Sequence, residues 1–167
     1  YKKIDPARVN LIEFKSPMYS FDEQVNYNKV IPKNTSLYFS THYNIPLLYN
    51  GPMLVMVYDV CHLALSNFLQ GFHKKLYAFF MLKAVRFKAK KIITISQFSK
   101  DEIIKYTGEN SQPIIPIHLG VDKSHYVTNE PKRIHQKPYI LYVGNIKPHK
   151  NLTMLIKAFM KIANKFN

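Results

Sequence analysis

A glycine and two lysines follow an apolar run near the end of this 167-residue chain, in an order that could hold an anion. The run, residues 139–143, is typical of a strand, and Gly144, Lys147 and Lys150 precede a segment with helical apolar spacing. Glycine lets the backbone approach a ligand, while helix N-terminal amides and nearby lysines attract phosphate. The spacing matches neither a P-loop nor the three-glycine dinucleotide motif. A diphosphate would fit this turn, but the residues by themselves favour the alternative, a tight turn with exposed lysines.

Polar residues also follow two other predicted strands. Asp59 comes directly after residues 53–58, with His62 close behind it, and Ser96 follows residues 91–95. The carboxyl ends of parallel strands meet at one edge of a sheet, where open α/β proteins bind ligands. Each residue has a structural alternative, because Asp59 can cap its turn, His62 can be a packed or exposed loop histidine, and Ser96 can cap a helix. For His62 and Ser96 we favour the structural alternative.

The elements that must position these residues alternate between strands and helices. Predicted strands cover residues 37–40, 53–58, 91–95 and 114–117. This alternation predicts an α/β fold with a parallel, Rossmann-like sheet and right-handed crossovers. A capping-box pattern at Ser99 predicts that a helix opens there, and Gly108 closes it. Residues 1–34 contain three prolines and are assigned no element.

The segment 71–91 is too long for a strand and combines apolar with basic residues at helical spacing. Its apolar positions are Phe72, Leu76, Phe79, Phe80 and Phe87. Its basic positions are Lys74, Lys75, Lys83, Arg86, Lys88, Lys90 and Lys91. Two interpretations stay open: the aromatic residues pack on the sheet, which we favour, or they meet an anionic membrane surface.

A domain boundary is predicted at residues 121–138, which are polar, contain two prolines and show no periodicity. Residues 1–120 then form the end of one Rossmann-like domain. Residues 139–167 supply one strand and one helix, which cannot bury their apolar faces alone, so we expect them to begin a second domain. We expect the chain to be truncated at both ends.

The composition limits the classes of partner that the chain is expected to bind. The 47% apolar content excludes a disordered chain, and no apolar run reaches the roughly 18 residues of a membrane span. A net charge of +14 favours anionic partners, but with only three arginines among the basic residues we rank phosphate or lipid above base-reading of nucleic acid. The single cysteine, Cys61, fits a reducing cytoplasm, and no cluster has zinc-ligand spacing.

Four segments in order resemble the family-4 retaining glycosyltransferases of GT-B fold. They are LVMVYDVCHL, KIITISQFSKDEIIKYTG, IIPIHLGVDKSHY and YILYVGNIKPHKNLTMLIKAF. The resemblance covers about two thirds of the chain, from about residue 53 to its end. It implies that residues 1–120 end the acceptor-side domain, and that residues 139–167 open the nucleotide-sugar donor domain.

The resemblance also implies roles for individual residues. Gly144 and Lys150 would contact the donor diphosphate, and Asn145 stands where many relatives carry arginine, so Lys147 would supply part of the missing charge. Asp59 matches an acidic family position, but a tyrosine replaces the usual preceding histidine, and the nearby His62 could act instead. Within the Gly-Val-Asp element, Gly120 is expected to serve the backbone turn, and Asp122 to fix the crossover. Ser96 occupies the family's strand-Ser-helix position.

The implied reaction is metal-independent transfer of a hexosyl group from a nucleoside-diphosphate sugar to a saccharide or lipid-linked acceptor, with no cofactor. The chain itself is expected to be catalytically incomplete, since relatives carry a Glu-rich donor motif further downstream. The implied location is the cytoplasm, including the inner face of the membrane. Three alternatives stay open: another Rossmann-like enzyme, a non-catalytic phosphate-binding module, and a nucleic-acid-binding module, for which no motif is visible.

Overall fold

A four-stranded parallel sheet organises the chain in a computed structural model that describes residues 6–64, 72–109, 112–122, 135–137 and 139–163. The strands lie in chain order: β1 (Tyr38–Ser40), β2 (Met53–Met56), β3 (Lys91–Thr94) and β4 (Ile114–Pro116). Every neighbouring pair is parallel. The predicted α/β class and all four strands before residue 120 are therefore confirmed.

Helices connect and flank these strands. They are α1 (Phe21–Val30), α2 (Cys61–Ala64), α3 (Phe72–Lys88), α4 (Gln97–Thr107) and α5 (Leu152–Ile162), with short 3-10 helices at Pro6–Arg8 and Pro148–Lys150. In the described part of the chain, no helix has the length and apolarity needed to span a membrane.

The core lies between the sheet and helices α3 and α4. Met53 and Val55 alternate with less buried neighbours along β2, as expected for one face of a pleated strand. Leu82 on α3 and Ile103 on α4 are almost fully buried in the same apolar cluster. This packing holds β2 and β3 in place and so fixes where their carboxyl ends lie.

Helix α4 begins one turn earlier than the capping pattern predicted. Ser96, in extended backbone, is its N-cap, and its hydroxyl oxygen accepts a hydrogen bond from the Ser99 backbone N–H at 3.0 Å. Ser99 therefore lies inside the first turn, and the expectation that it opens the helix was wrong. Either serine could cap a helix. Ser96 is the cap because β3 ends at Thr94, just before it. The predicted end is confirmed, because Gly108 closes α4 with a positive φ of 83°.

We expect the variant Ser96→Ala to lower the free energy of unfolding by about 1 kcal/mol, the usual cost of losing an N-cap side chain. Urea unfolding followed by circular dichroism measures this loss. The matched control is Ser36→Ala, which changes an exposed serine outside any helix. Equal midpoints for the two variants would contradict the capping role.

Helix α1 was not anticipated, because the prolines on both sides of it marked its region as irregular. It begins after Ser20, whose hydroxyl oxygen accepts a hydrogen bond from the Glu23 backbone N–H at 3.0 Å. Ser20 and Glu23 have the Ser-x-x-Glu spacing of a capping box, a signal that was present in the sequence. Pro17 and Pro32 lie outside α1, so they limit its length without preventing it from forming.

Helix α3 confirms the predicted long helix but not its buried face. The side that packs on the sheet carries small and aliphatic residues, Ala78, Met81, Leu82 and Val85, together with Arg86. Three of the predicted aromatic positions are exposed instead, Phe72 at 79%, Phe80 at 60% and Phe87 at 83%. The favoured interpretation, in which the aromatic residues pack on the sheet, was wrong for these three rings, whereas Phe79 packs against the core as predicted. Periodicity could not separate the two faces because both are apolar.

The predicted strand at residues 139–143 does not form. These residues are exposed and have no strand structure, and no described strand lies beside them. A strand needs a neighbour to pair its backbone N–H and C=O groups, which explains why a strongly apolar run stays unpaired here. The helix predicted after the turn is present as α5. Most of the predicted linker, residues 123–134 and 138, lies outside the described residues.

Candidate functional site

The carboxyl edge of the sheet gathers two of the predicted site residues, Asp59 and Ser96, together with His42, which was not predicted. His42 follows β1, Asp59 follows β2, and Ser96 follows β3. Because the strands are parallel and in register, these loops emerge at the same edge, the position where open α/β sheets bind ligands.

Asp59 stabilises the turn that leads from β2 into α2. Its Oδ1 atom accepts a hydrogen bond from the Cys61 backbone N–H at 2.9 Å, which is the capping role foreseen as its structural alternative. The side chain is nevertheless exposed. It lines a cavity of about 280 Å³ together with Phe98 and Glu102 of α4. The carboxylate thus combines a structural contact with access to solvent.

His62 lies beside a different cavity, so the structure does not bring the two predicted catalytic residues to one point. This second cavity measures about 520 Å³. It is lined by Tyr19, Tyr43, His62, His73, Lys74 and Tyr77. The His62 ring meets Tyr43 edge-on, with 6.2 Å between ring centroids. The lining is rich in aromatic faces and positive or titratable groups, a surface suited to sugar rings and anions.

His42 is a candidate that sequence reasoning missed. Its ring lies 4.2 Å from the Tyr43 ring, and its Nδ1 atom accepts a hydrogen bond from the Asn44 backbone N–H at 3.0 Å. Burial lowers the pKa of His42, His62 lowers it further, and Asp59 opposes both effects. The lowered pKa favours the neutral imidazole. The available signal was its position directly after a predicted strand.

A buried carboxylate organises the wall of the 520 Å³ cavity. Glu23 is 3% exposed and accepts hydrogen bonds from the Tyr19 backbone N–H at 2.6 Å, the Asn44 amide at 2.8 Å and the Tyr27 hydroxyl at 3.1 Å. The Tyr77 hydroxyl donates in turn to the Asn44 side-chain oxygen. Burial, followed by the Glu23 carboxylate, raises the pKa of Tyr77 to about 12. The network joins α1, the loop after β1, and α3.

The predicted diphosphate turn has a backbone that requires glycine. Gly144 has a φ of 153°, and a Cβ atom there would lie 2.8 Å from the Tyr142 hydroxyl oxygen. That hydroxyl donates to the Asn145 carbonyl oxygen at 3.1 Å, which closes the turn. Asn145 takes part in this contact through its backbone carbonyl, and the residue is exposed.

Both lysines of the turn lie in exposed positions just before α5. Lys147 precedes the 3-10 helix Pro148–Lys150, and the Lys150 backbone N–H donates to the Lys147 carbonyl oxygen at 2.9 Å. Asn151, in left-handed backbone, starts α5 without a side-chain capping bond to any described residue. The first-turn amides of α5 are therefore left without a side-chain cap, as an anion-binding helix start requires.

The turn lies within electrostatic reach of the carboxyl edge of the sheet. Burial raises the pKa of the Cys61 thiol, Asp59 raises it further, and the Lys150 ammonium opposes them. Cys61 is the first residue of α2, directly after the Asp59 turn. The positive charge of Lys150 and the carboxylate of Asp59 thus act on the same thiol.

The remaining predicted site residues give less information about binding or catalysis. Ser96 is the N-cap of α4, in agreement with its structural alternative. Gly120 does not have the positive φ of a glycine-dependent turn, and an added Cβ would meet no atom within 4 Å, so the expectation that glycine is needed there was wrong. Asp122 is exposed. The described residues contain no cluster of three or more His, Cys, Asp or Glu side chains arranged to hold a metal ion.

A comparison with known proteins finds similarity to a mannosyltransferase. The chain is 33% identical over 124 residues to the O-antigen chain mannosyltransferase RfbU of Salmonella typhimurium, a match that covers 74% of this chain. The match spans only 33% of the length of that relative. No family model matches the chain, and no solved structure does. At the coarse level, the chain is therefore similar to a glycosyltransferase of O-antigen synthesis.

Proposed function

We propose that the chain is part of a retaining GT-B glycosyltransferase that transfers a hexosyl group from a nucleoside-diphosphate sugar to a saccharide or lipid-linked acceptor. The observation that carries this proposal is the turn before α5. It combines a glycine-dependent backbone, two exposed lysines and a helix start without a side-chain cap, within electrostatic reach of Cys61, which follows the Asp59 turn. The mannosyltransferase relative supports a sugar donor over other diphosphates.

In the proposed reaction, the acceptor hydroxyl oxygen bonds to the anomeric carbon, and the bond from that carbon to the diphosphate oxygen breaks. Negative charge grows on the leaving diphosphate as the bond breaks. The α5 amides, with Lys147 and Lys150, would stabilise that charge because they are already aimed at the site. The acceptor hydroxyl gives up its proton. Asp59, an exposed carboxylate at the same edge but outside the 520 Å³ cavity, can receive that proton only where the acceptor extends beyond the cavity.

The acceptor is assigned to the 520 Å³ cavity. Tyr19, Tyr43 and Tyr77 present aromatic faces on which the C–H groups of a sugar can pack. His62 is assigned to this acceptor cavity, where its ring can hydrogen-bond a sugar hydroxyl. We assign residues 1–120 to the acceptor domain, 121–138 to the linker and 139–167 to the start of the donor domain, in a cytoplasmic enzyme. Neither a cofactor nor a metal is part of the proposed reaction.

Activity is tested by measuring nucleoside diphosphate released from a panel of nucleoside-diphosphate hexoses, with mannose donors first. We expect release that depends on acceptor and persists in EDTA. The variant Asp59→Asn keeps an amide oxygen able to cap the Cys61 N–H but removes the charge, so it should lower turnover at least about tenfold with unchanged stability.

Two results would decide against this proposal. Donor binding without any transfer, in the protein supplied with its complete donor domain, would favour the non-catalytic phosphate-binding module. Full activity in Asp59→Asn would restrict Asp59 to its structural contact with Cys61.

A further inference from the structure

Helix α3 has a second apolar face that points away from the core. Phe72, Leu76, Phe80 and Phe87 are all exposed, and their spacing of four, four and seven residues places them on one side of the helix. We call these four residues the α3 stripe. The buried residues of α3 lie on the opposite side, so the stripe is not a frayed edge of the core.

The charged residues of the stripe's own segment are all basic. The sequence from residue 72 to residue 91 contains no acidic residue. Lys74 and Lys75 are exposed near the first turn of α3, and Lys90 and Lys91 are exposed just beyond its last turn. The side chains of these four lysines form no hydrogen bond or ion pair with another residue in the described part of the chain.

Two other basic residues of α3 have structural tasks and do not belong to this surface. The Lys83 ammonium donates to the Thr107 carbonyl oxygen at the end of α4, and the buried Arg86 guanidinium donates to the Gly108 and Gln112 carbonyl oxygens. These contacts place cations at a helix C-terminus, where they are stabilising. Substitutions at these positions would therefore test packing and not surface charge.

We propose that the α3 stripe with its four flanking lysines is a docking surface for an anionic lipid bilayer. Exposed phenylalanines on one helix face, bordered by lysines and free of acidic residues, match an interfacial helix that lies in the plane of the headgroups. The stripe extends over roughly 22 Å at 1.5 Å per residue, long enough to lie along a bilayer surface. Four exposed lysines on a segment without acidic residues complement anionic headgroups.

The surface adjoins the cavity that we assign to the acceptor. His73, Lys74 and Tyr77 line that cavity and lie on the same first turns of α3 as Phe72 and Leu76. A bilayer docked on the stripe would therefore lie next to the cavity. This step rests on the proposed function, and it identifies the acceptor as a lipid-linked saccharide held at the membrane surface.

The docking surface is tested by co-sedimentation of the protein with vesicles, in the absence of donor and acceptor. Wild type should bind vesicles that contain phosphatidylglycerol at low salt, bind neutral phosphatidylcholine vesicles at least tenfold more weakly, and dissociate at high salt. The double variant Phe80→Ser/Phe87→Ser and the single variant Lys75→Glu should each weaken binding severalfold or more. The matched controls are Phe98→Ser on α4 and Lys29→Glu on α1, which remove an exposed ring and an exposed lysine elsewhere.

Circular dichroism establishes that each variant is folded, and Phe72→Ser replaces the double variant if that one unfolds. Absence of binding to anionic vesicles at low salt overturns the proposal, as does an equal loss in the control variants. A stripe that instead mediates self-association, so that its variants shift the protein from dimer to monomer without changing vesicle binding, also overturns it. Because no sugar is present, failure here is independent of any failure to transfer sugar.

Discussion

Replacing Lys150 with alanine is expected to weaken binding of the donor diphosphate by about 1.5 to 3 kcal/mol, or about 10- to 150-fold in Kd. The ammonium is exposed beside the uncapped start of α5, so a bound phosphate would form a charge-assisted hydrogen bond with it. Lys147→Ala should have a smaller effect, because that residue lies further from the helix start.

Calorimetric titration of a nucleoside diphosphate into the whole protein measures this change. Lys157→Ala is the matched control, since Lys157 is an exposed lysine in the middle of α5 and away from its first turn. The variants carry the same change in net charge, so a general electrostatic effect would weaken both alike. Equal affinity for wild type and Lys150→Ala would remove Lys150 from the diphosphate site.

Replacing Glu23 with alanine is expected to lower the free energy of unfolding by about 2 to 4 kcal/mol. Three donors converge on this buried carboxylate, and its removal leaves the Tyr19 N–H and the Asn44 amide without their acceptor. Each buried donor left unsatisfied costs about 1 to 3 kcal/mol. The cavity wall that contains Tyr77 should loosen as well, because Asn44 positions the Tyr77 hydroxyl.

Urea unfolding of the variant, with Glu13→Ala as control, measures the loss. Glu13 is an exposed carboxylate in an exposed ion pair with Lys15, so its removal should change stability by less than about 1 kcal/mol. Glu23→Gln, which retains one acceptor oxygen, should lie between the two. A Glu23→Ala variant as stable as Glu13→Ala would show that the network contributes little.

Much of the fold could be read from local pattern. Short apolar runs between turn residues predicted β1 to β4, and the long apolar and basic pattern predicted α3, because these signals depend on nearest neighbours and on a period. The turn at Gly144 could be predicted for a similar reason. A glycine between a strand-like run and a helix indicates a backbone conformation that other residues rarely adopt, and the φ of Gly144 agrees with it.

Other features depend on which distant segments of the chain pack together. The apolar run at residues 139–143 has strand character but does not form a strand, since a ladder needs a second chain segment beside it. Two apolar faces on α3 are equivalent in the sequence, and only contact with the sheet shows that Leu82 is inside and Phe80 outside. The same holds for Asp59 and His62, three residues apart in the chain but lining separate cavities. Residue types and periods are local properties of a chain, whereas partners, faces and cavities arise when distant segments meet.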